Sequence, residues 1–345
     1  MYKSEGTQIS AISVHYVGNK LNGDELIVSN RPISISFNIE RLLNSFFIES
    51  FKSEELGTFT HPTDIAFNEL YMYAKNIFEG LVNFHEASKN IAKLLYECSN
   101  TPNVKGGELY VVYFEDCQFE GDLVPAIGIF KTETKETYLK VKNEQSEFSI
   151  VTDNGISLKK LDKGCLIFNI NKDLGYIVTS IDNTNKGEDA KYWKEAFLQI
   201  TSLQDGYYNT SNALNLCRNF VAKELPEHFE VQRADQIDIL NRSMAFFKDN
   251  DHFNMEEFAN EVIGQPEVIE SFNQYRAAYE AEHEVQIADE FVISDSAVKK
   301  QARSFKSVIK LDKNFHIYIH GDRKLIEQGE DEKGKYYKVY FKEEL

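Results

Sequence analysis

Four strand-like runs between residues 107 and 182 constrain the fold more than any other part of the chain. "GELYVVYFEDCQFEG" opens them, and "DLVPAIGIFKTE" and "ETYLKVKN" follow. "GCLIFNINKDLGYIVTSID" then reads as a hairpin turning at Asn171 to Gly175. Strands joined by turns this short predict an antiparallel sheet. Upstream, "TQISAISVHYVGN" and "ELIVSNRPISIS" flank the turn signal "LNGD" and predict an opening hairpin. "FNIERLLNSFFIESF" has apolar residues at helical spacing, and "DIAFNELYMYAKNIFEGLVNFHEASKNIAKLLYEC" reads as one helical run starting at Asp64. The fold class is therefore α+β, with an N-terminal antiparallel sheet and packed helices.

The polar stretch "NTNKGEDA" at 183–190 reads as a link, giving an α+β domain at 1–182 and a helical and C-terminal β domain at 183–345. "AKYWKEAFLQI" starts helical, with Trp193 as a core residue. "QDGYYNTSN", carrying Tyr207 and Tyr208, reads as a break, and "NALNLCRNFVAKEL" resumes. "ADQIDILNRSMAFFKDN", "NMEEFANEVI" and "PEVIESFNQYRAAYEAEHE" are further amphipathic helices. A C-terminal β-hairpin or meander closes this helical region.

The 345 residues carry a net charge of -17, which argues against whole-surface affinity for nucleic acid. The charge is unevenly placed. From Ser296 to Ile326 there are eight Lys and Arg against two Asp, whereas Glu224 to Glu290 holds seventeen acids against four bases. Such asymmetry speaks of partners rather than fold. Cys98, Cys117, Cys165 and Cys217 form no CxxC pair, so the expectation is buried free thiols with no zinc site and no cofactor. No apolar run is long enough for a membrane span, and the first residues lack a signal-peptide pattern, so the cytoplasm is expected.

"RSFKSVIKLDKNFHIYIHG", residues 303–321, fits a hairpin of alternating strands. A three-residue loop at 312–314 pairs Leu311 with Phe315, Ile309 with Ile317 and Ser307 with Ile319. On the other face, Lys310 meets His316, Val308 meets Tyr318 and Lys306 meets His320. A two-residue loop would spoil both faces. The predicted outer face carries Lys306, Lys310, His316, Tyr318 and His320. Arg303, Arg323 and Lys324 stand at its edges, and Lys299 and Lys300 precede it. Lysines neutralise phosphates and neighbouring rings stack on bases or contact sugar. Lysine and tyrosine on an exposed strand also serve solubility and edge protection, and composition alone favours that plainer reading.

Catalytic signals are sparse. There is no Walker A sequence, GxGxxG, GxSxG or HExxH. Glu115 and Asp116 offer paired carboxylates for metal-dependent nuclease chemistry. Adjacent strand residues point to opposite faces, however, and the expectation is no catalytic residue and no metal ligand.

"ELYVVYFED", "LVPAIGIFK", "GISLKKLDKGCLIFNINKDLGYIVTSID", "AKYWKEAFLQI" and "RSFKSVIKLDKNFHIYIHG" occur in that order. Together they resemble the bacterial 37-kDa nucleoid-associated protein family (NdpA-like), from about the first hairpin to the C-terminus. The resemblance implies a cytoplasmic, nucleoid-associated protein whose partner is DNA, without established catalysis. An acidic protein fits either contact through one patch or recruitment through DNA-processing proteins, and homo-oligomerisation is left open.

Overall fold

The computed structural model describes residues 6–52, 55–144, 147–184, 191–305, 308–311, 313–319 and 323–343. The chain separates into two units, Met1–Leu203 and Gln204–Leu345. The division falls after the expected link, because Tyr192, Trp193, Phe197 and Leu198 are buried in the core of the first unit. The Trp193 indole N–H donates to Ser180 Oγ at 3.1 Å, tying this segment to a sheet strand.

In chain order the strands of the first unit are β1 (Gln8–Val17), β2 (Leu26–Ile27), β3 (Gly57–Phe59), β4 (Gly107–Phe119), β5 (Asp122–Thr132), β6 (Lys135–Glu144), β7 (Glu147–Ile156), β8 (Lys163–Phe168), β9 (Ile177–Asp182) and β10 (Ile200–Ser202). All but β6 and β7 join one sheet in the order β10-β3-β9-β8-β5-β4-β1-β2. Every neighbouring pair in it is antiparallel. The fold is α+β, as the meander of strands implies.

Both faces of this sheet are covered. Leu109, Val111, Ile127, Ile129, Cys165, Ile167 and Val178 pack on one side beneath α2 (Glu69–Phe78), α3 (Phe84–Cys98) and the π-helical turn Tyr192–Leu198. Val112, Phe114, Phe130, Leu166 and Phe168 pack on the other beneath α1 (Phe37–Ile48), with Phe47 stacked on Phe130 at 4.1 Å. Alternate residues feed opposite cores, so β8 is buried at all six positions and reads as a continuous apolar run after Lys163.

Three expectations are revised. The helical run 64–98 is two α-helices, because α2 ends at Gly80 (φ +66°), and Asn68 and Asn83 cap separate starts. Asp64 caps only a short 3-10 turn, accepting from the Ala66 N–H. The opening hairpin keeps only two residues in its second strand. The β8–β9 turn falls at Asn171 to Gly175 as read. Gly175 has φ +96°, and a Cβ there would lie 2.5 Å from the Phe59 carbonyl oxygen, so glycine is required.

In the second unit, α4 (Gly206–Asn219) starts where the sequence suggested a break. The Asp205 carboxylate accepts from the Tyr208 N–H at 2.8 Å, and this cap lets "GYY" enter a helix. α4 runs through a π-helical stretch into Leu225–His228. α5 (Arg233–Asp249), α6 (Pro266–Glu282) and α7 (Asp295–Ala302) follow. Leu214, Phe220, Phe247, Phe258 and Phe272 form their core. A small pair, β11 (His252–Asn254) with β12 (Glu290–Val292), precedes two hairpins. These are β13 (Val308–Leu311) with β14 (Phe315–Tyr318), and β15 (Ile326–Asp331) with β16 (Gly334–Val339). No described helix is long and apolar enough to cross a membrane.

Candidate nucleic-acid interface

The β13–β14 register pairs Val308 with Tyr318, Ile309 with Ile317, Lys310 with His316 and Leu311 with Phe315. This is the pairing that makes apolar partners coincide on one face. Ile309 and Ile319 are buried and pack with Ala234 and Ile237 of α5, joined by Ile326. The Asn241 side-chain amide adds a hydrogen bond to the Ile319 carbonyl at 3.2 Å. One face is thus anchored on a helix and the other is left in water. Phe315 departs from the pattern. It sits beside the turn and is 66% exposed.

Lys310, His316 and Tyr318 stand together on the outward face, and all three are exposed. Lys306 and His320 lie outside the described residues, as does Ser307. Lys299 and Lys300 occupy the last turn of α7, where cations complement the carbonyl end of a helix. Lys300 donates to the Tyr207 hydroxyl at 2.8 Å, with its ammonium 5.4 Å from that ring. Arg303 caps the same helix and is exposed. Arg323 is turned back to the body, bonded to Asp235 at 2.7 Å, to Gln232 at 2.9 Å and to the Ile326 carbonyl. Lys324 is exposed beside it.

The acids of 224–290 lie mostly in water, including Glu227, Glu230, Glu256, Glu257, Glu267, Glu270 and Glu290. Their bases are largely committed. Arg276 bonds Glu280 and Asp289 at 3.0 and 2.6 Å, and Arg242 bonds Asp238 at 3.0 Å. A groove of about 570 Å³ runs along Asn254, Glu256, Asn260, Asn273 and Glu290. Among the described residues, one group has the ligand spacing for a metal: Glu224, Glu227 and His228, with donor atoms within 4.8 Å of one another. Exposed acids commonly gather this way without an ion. Glu115 is exposed on β4 beside Asp116, at a register shift against β5, and neither belongs to that group.

A second concentration of charge escapes sequence reasoning. Lys131 on β5 and Lys163 on β8 are partners in register, and both are fully buried. Glu133 reaches them at 3.0 and 3.6 Å. Lys163 also meets Asp182 at 2.8 Å and donates to Thr184. Asp162 accepts from the Glu133 and Thr134 N–H groups at 2.6 and 2.8 Å. The Tyr192 hydroxyl donates to Glu133 at 3.3 Å. Burial pulls the Lys131 ammonium below its ordinary range, opposed by Glu133, and burial followed by Glu133 pushes the Tyr192 hydroxyl up. Lys131, Asp162, Lys163, Asp182 and Tyr192 come from three of the stretches that carry the family resemblance. They bind strand ends to the segment after β9. The signal available in the sequence was a lysine at the end of each of two apolar runs.

No curated protein matches the chain. A family model described as nucleoid-associated protein YejK matches residues 13–333, spanning both units. The chain therefore belongs to the nucleoid-associated protein YejK family.

Proposed function

We propose that this nucleoid-associated protein is non-catalytic and binds DNA through the outward face of β13–β14 and the end of α7, neutralising phosphates with little sequence preference. Family membership implies cytoplasmic, nucleoid localisation. The observation that carries the reading is the hairpin itself. Lys310, His316 and Tyr318 share a solvent face whose reverse is held by Ile309 and Ile319, in the one stretch of strong positive charge in an acidic chain. Lys299 and Arg303 extend the patch, whereas Arg323 is neutralised by Asp235.

The test is a salt titration of duplex binding by the parent and by Lys299→Glu/Lys310→Glu. Each phosphate contact contributes about 0.9 to the slope of log affinity against log salt, so the double variant should lose roughly 2 units of slope. Equal binding by both proteins in low salt would remove the patch from the interface.

A second reading has the acidic helices dock a basic DNA-processing protein, and the groove beside Glu256 and Glu290 favours it. Partner capture that survives nuclease treatment supports this reading. Loss of every partner after nuclease counts against it.

A further inference from the structure

The β6–β7 hairpin stands outside the eight-stranded sheet, and among the described residues β6 and β7 pair only with each other. A lone two-stranded ribbon is marginal in water. Its two faces differ. On one, Tyr138 lies across Gly155 and donates to Asp153 at 3.3 Å, among Lys140 and Lys142. On the other, Leu139, Val141, Phe148 and Ile150 are 70%, 64%, 73% and 69% exposed, and Val141 and Ile150 are direct cross-strand partners. Four large apolar side chains bare on one face form a patch of the kind that marks an interaction site.

We infer that this face is where two copies of the chain pair. Charge selects the occupant. Of the ten residues on the apolar face, Lys135 alone is charged, and Glu108 holds it at 2.6 Å. A chain of net charge -17 repels its own copy over most of its surface, but here two identical faces meet with their one lysine each already paired to Glu108. DNA and anionic lipid are poor occupants, because the ribbon's three lysines are outnumbered by Glu136, Glu144, Glu147 and Asp153. A basic partner finds no acid on this face. Ten-residue strands span roughly 33 Å, and a two-stranded ribbon is roughly 10 Å wide, giving a footprint of roughly 330 Å². That is under half the roughly 800 Å² per partner of a standard interface, so the dimer is reversible and depends on concentration.

The inference is independent of the DNA-binding reading, and salt separates the two. Salt weakens phosphate contacts, whereas it screens the repulsion between acidic copies and strengthens an apolar contact. Sedimentation equilibrium on the full chain from 1 to 100 µM, in 0.05 and 0.5 M NaCl, reads the mass directly. The expected result is a rise from the 39.8 kDa chain mass toward twice that value with concentration, and further at high salt. Leu139→Glu/Ile150→Glu should raise the dissociation constant at least 30-fold, while its melting curve stays with the parent because both side chains are exposed. A parent that stays at single-chain mass throughout overturns the pairing and gives the face to another protein. A double variant that dimerises like the parent, or a dimer that weakens in high salt, overturns it as well.

Discussion

Lys163→Met tests the buried charge network. The lysine is fully buried and loses three things at once: Asp182 at 2.8 Å, Glu133 at 3.6 Å and the Thr184 hydroxyl. Methionine keeps most of the volume, so the cavity contribution is small. Removing one member of a buried ion pair costs about 3–5 kcal/mol, because the remaining charge stays desolvated. Two features pull toward the lower end. Glu133 keeps Lys131 at 3.0 Å, and Lys131 is freed from the repulsion of a second buried ammonium. The expected loss is about 3 kcal/mol. Trp193 is the one tryptophan and lies in the core of the first unit, so its fluorescence follows that unit alone. With a urea m-value of about 2 kcal/mol/M, the midpoint should fall by about 1.5 M. Lys163→Met/Asp182→Leu should recover part of the loss, since replacing both partners removes the orphaned charge. A single variant within 1 kcal/mol of the parent would refute the reasoning, as the lysine would then be dispensable to its neighbours.

Other outcomes follow from single residues. His15 is buried against Ser88, and burial first, then His85 and Lys89, lowers its pKa from 6.5 to about 4. The unfolded chain binds that proton more readily, so the contribution is complete above pH 6.5 and fades as pH falls toward 4. It amounts to at most about 3 kcal/mol, and His15→Gln should flatten the urea-midpoint profile in that window. Gly175→Ala should cost about 1–3 kcal/mol by Trp193 fluorescence, through its positive φ and the nearby Phe59 carbonyl. Asp205→Ala should cost about 1 kcal/mol in the second unit, read by far-UV circular dichroism. Ile309→Ala should cost about 2–4 kcal/mol and loosen the hairpin on α5, weakening DNA binding without touching a cation.

The closing hairpin was legible because alternation and loop length agree on one register. Slipping it by one residue would place Ile309 and Ile319 in water. The central sheet was legible for a similar reason. Strand β7 was not, because Val151 on one face and Thr152 and Asn154 on the other break the alternation of "EFSIVTDNGI", and every position before Gly155 is exposed. The 64–98 run concealed its interruption, since apolar spacing continues past Gly80. Polarity at 183–190 reads as a linker, whereas the division into two units falls at Leu203 and the Trp193 indole bonds to a strand before that stretch. The buried lysines stand at the ends of apolar runs, where a long side chain ordinarily reaches water. Only the register that sets Lys131 beside Lys163, with Glu133 between, reveals them as interior.

Strand β3 sits between β9 and β10, and Ile200 of β10 pairs with Phe59, 141 positions earlier in the chain. Synthesis at about 5–20 residues per second separates their emergence from the ribosome by roughly 7–28 s. Throughout that interval the nascent first unit lacks its last strand and the aromatic cover supplied by Trp193 and Phe197. Pairings this distant also slow the final folding step. Translational pausing ahead of residue 200 would therefore hold an open, sticky sheet in the cell, and chaperone engagement should be concentrated at that stage of elongation.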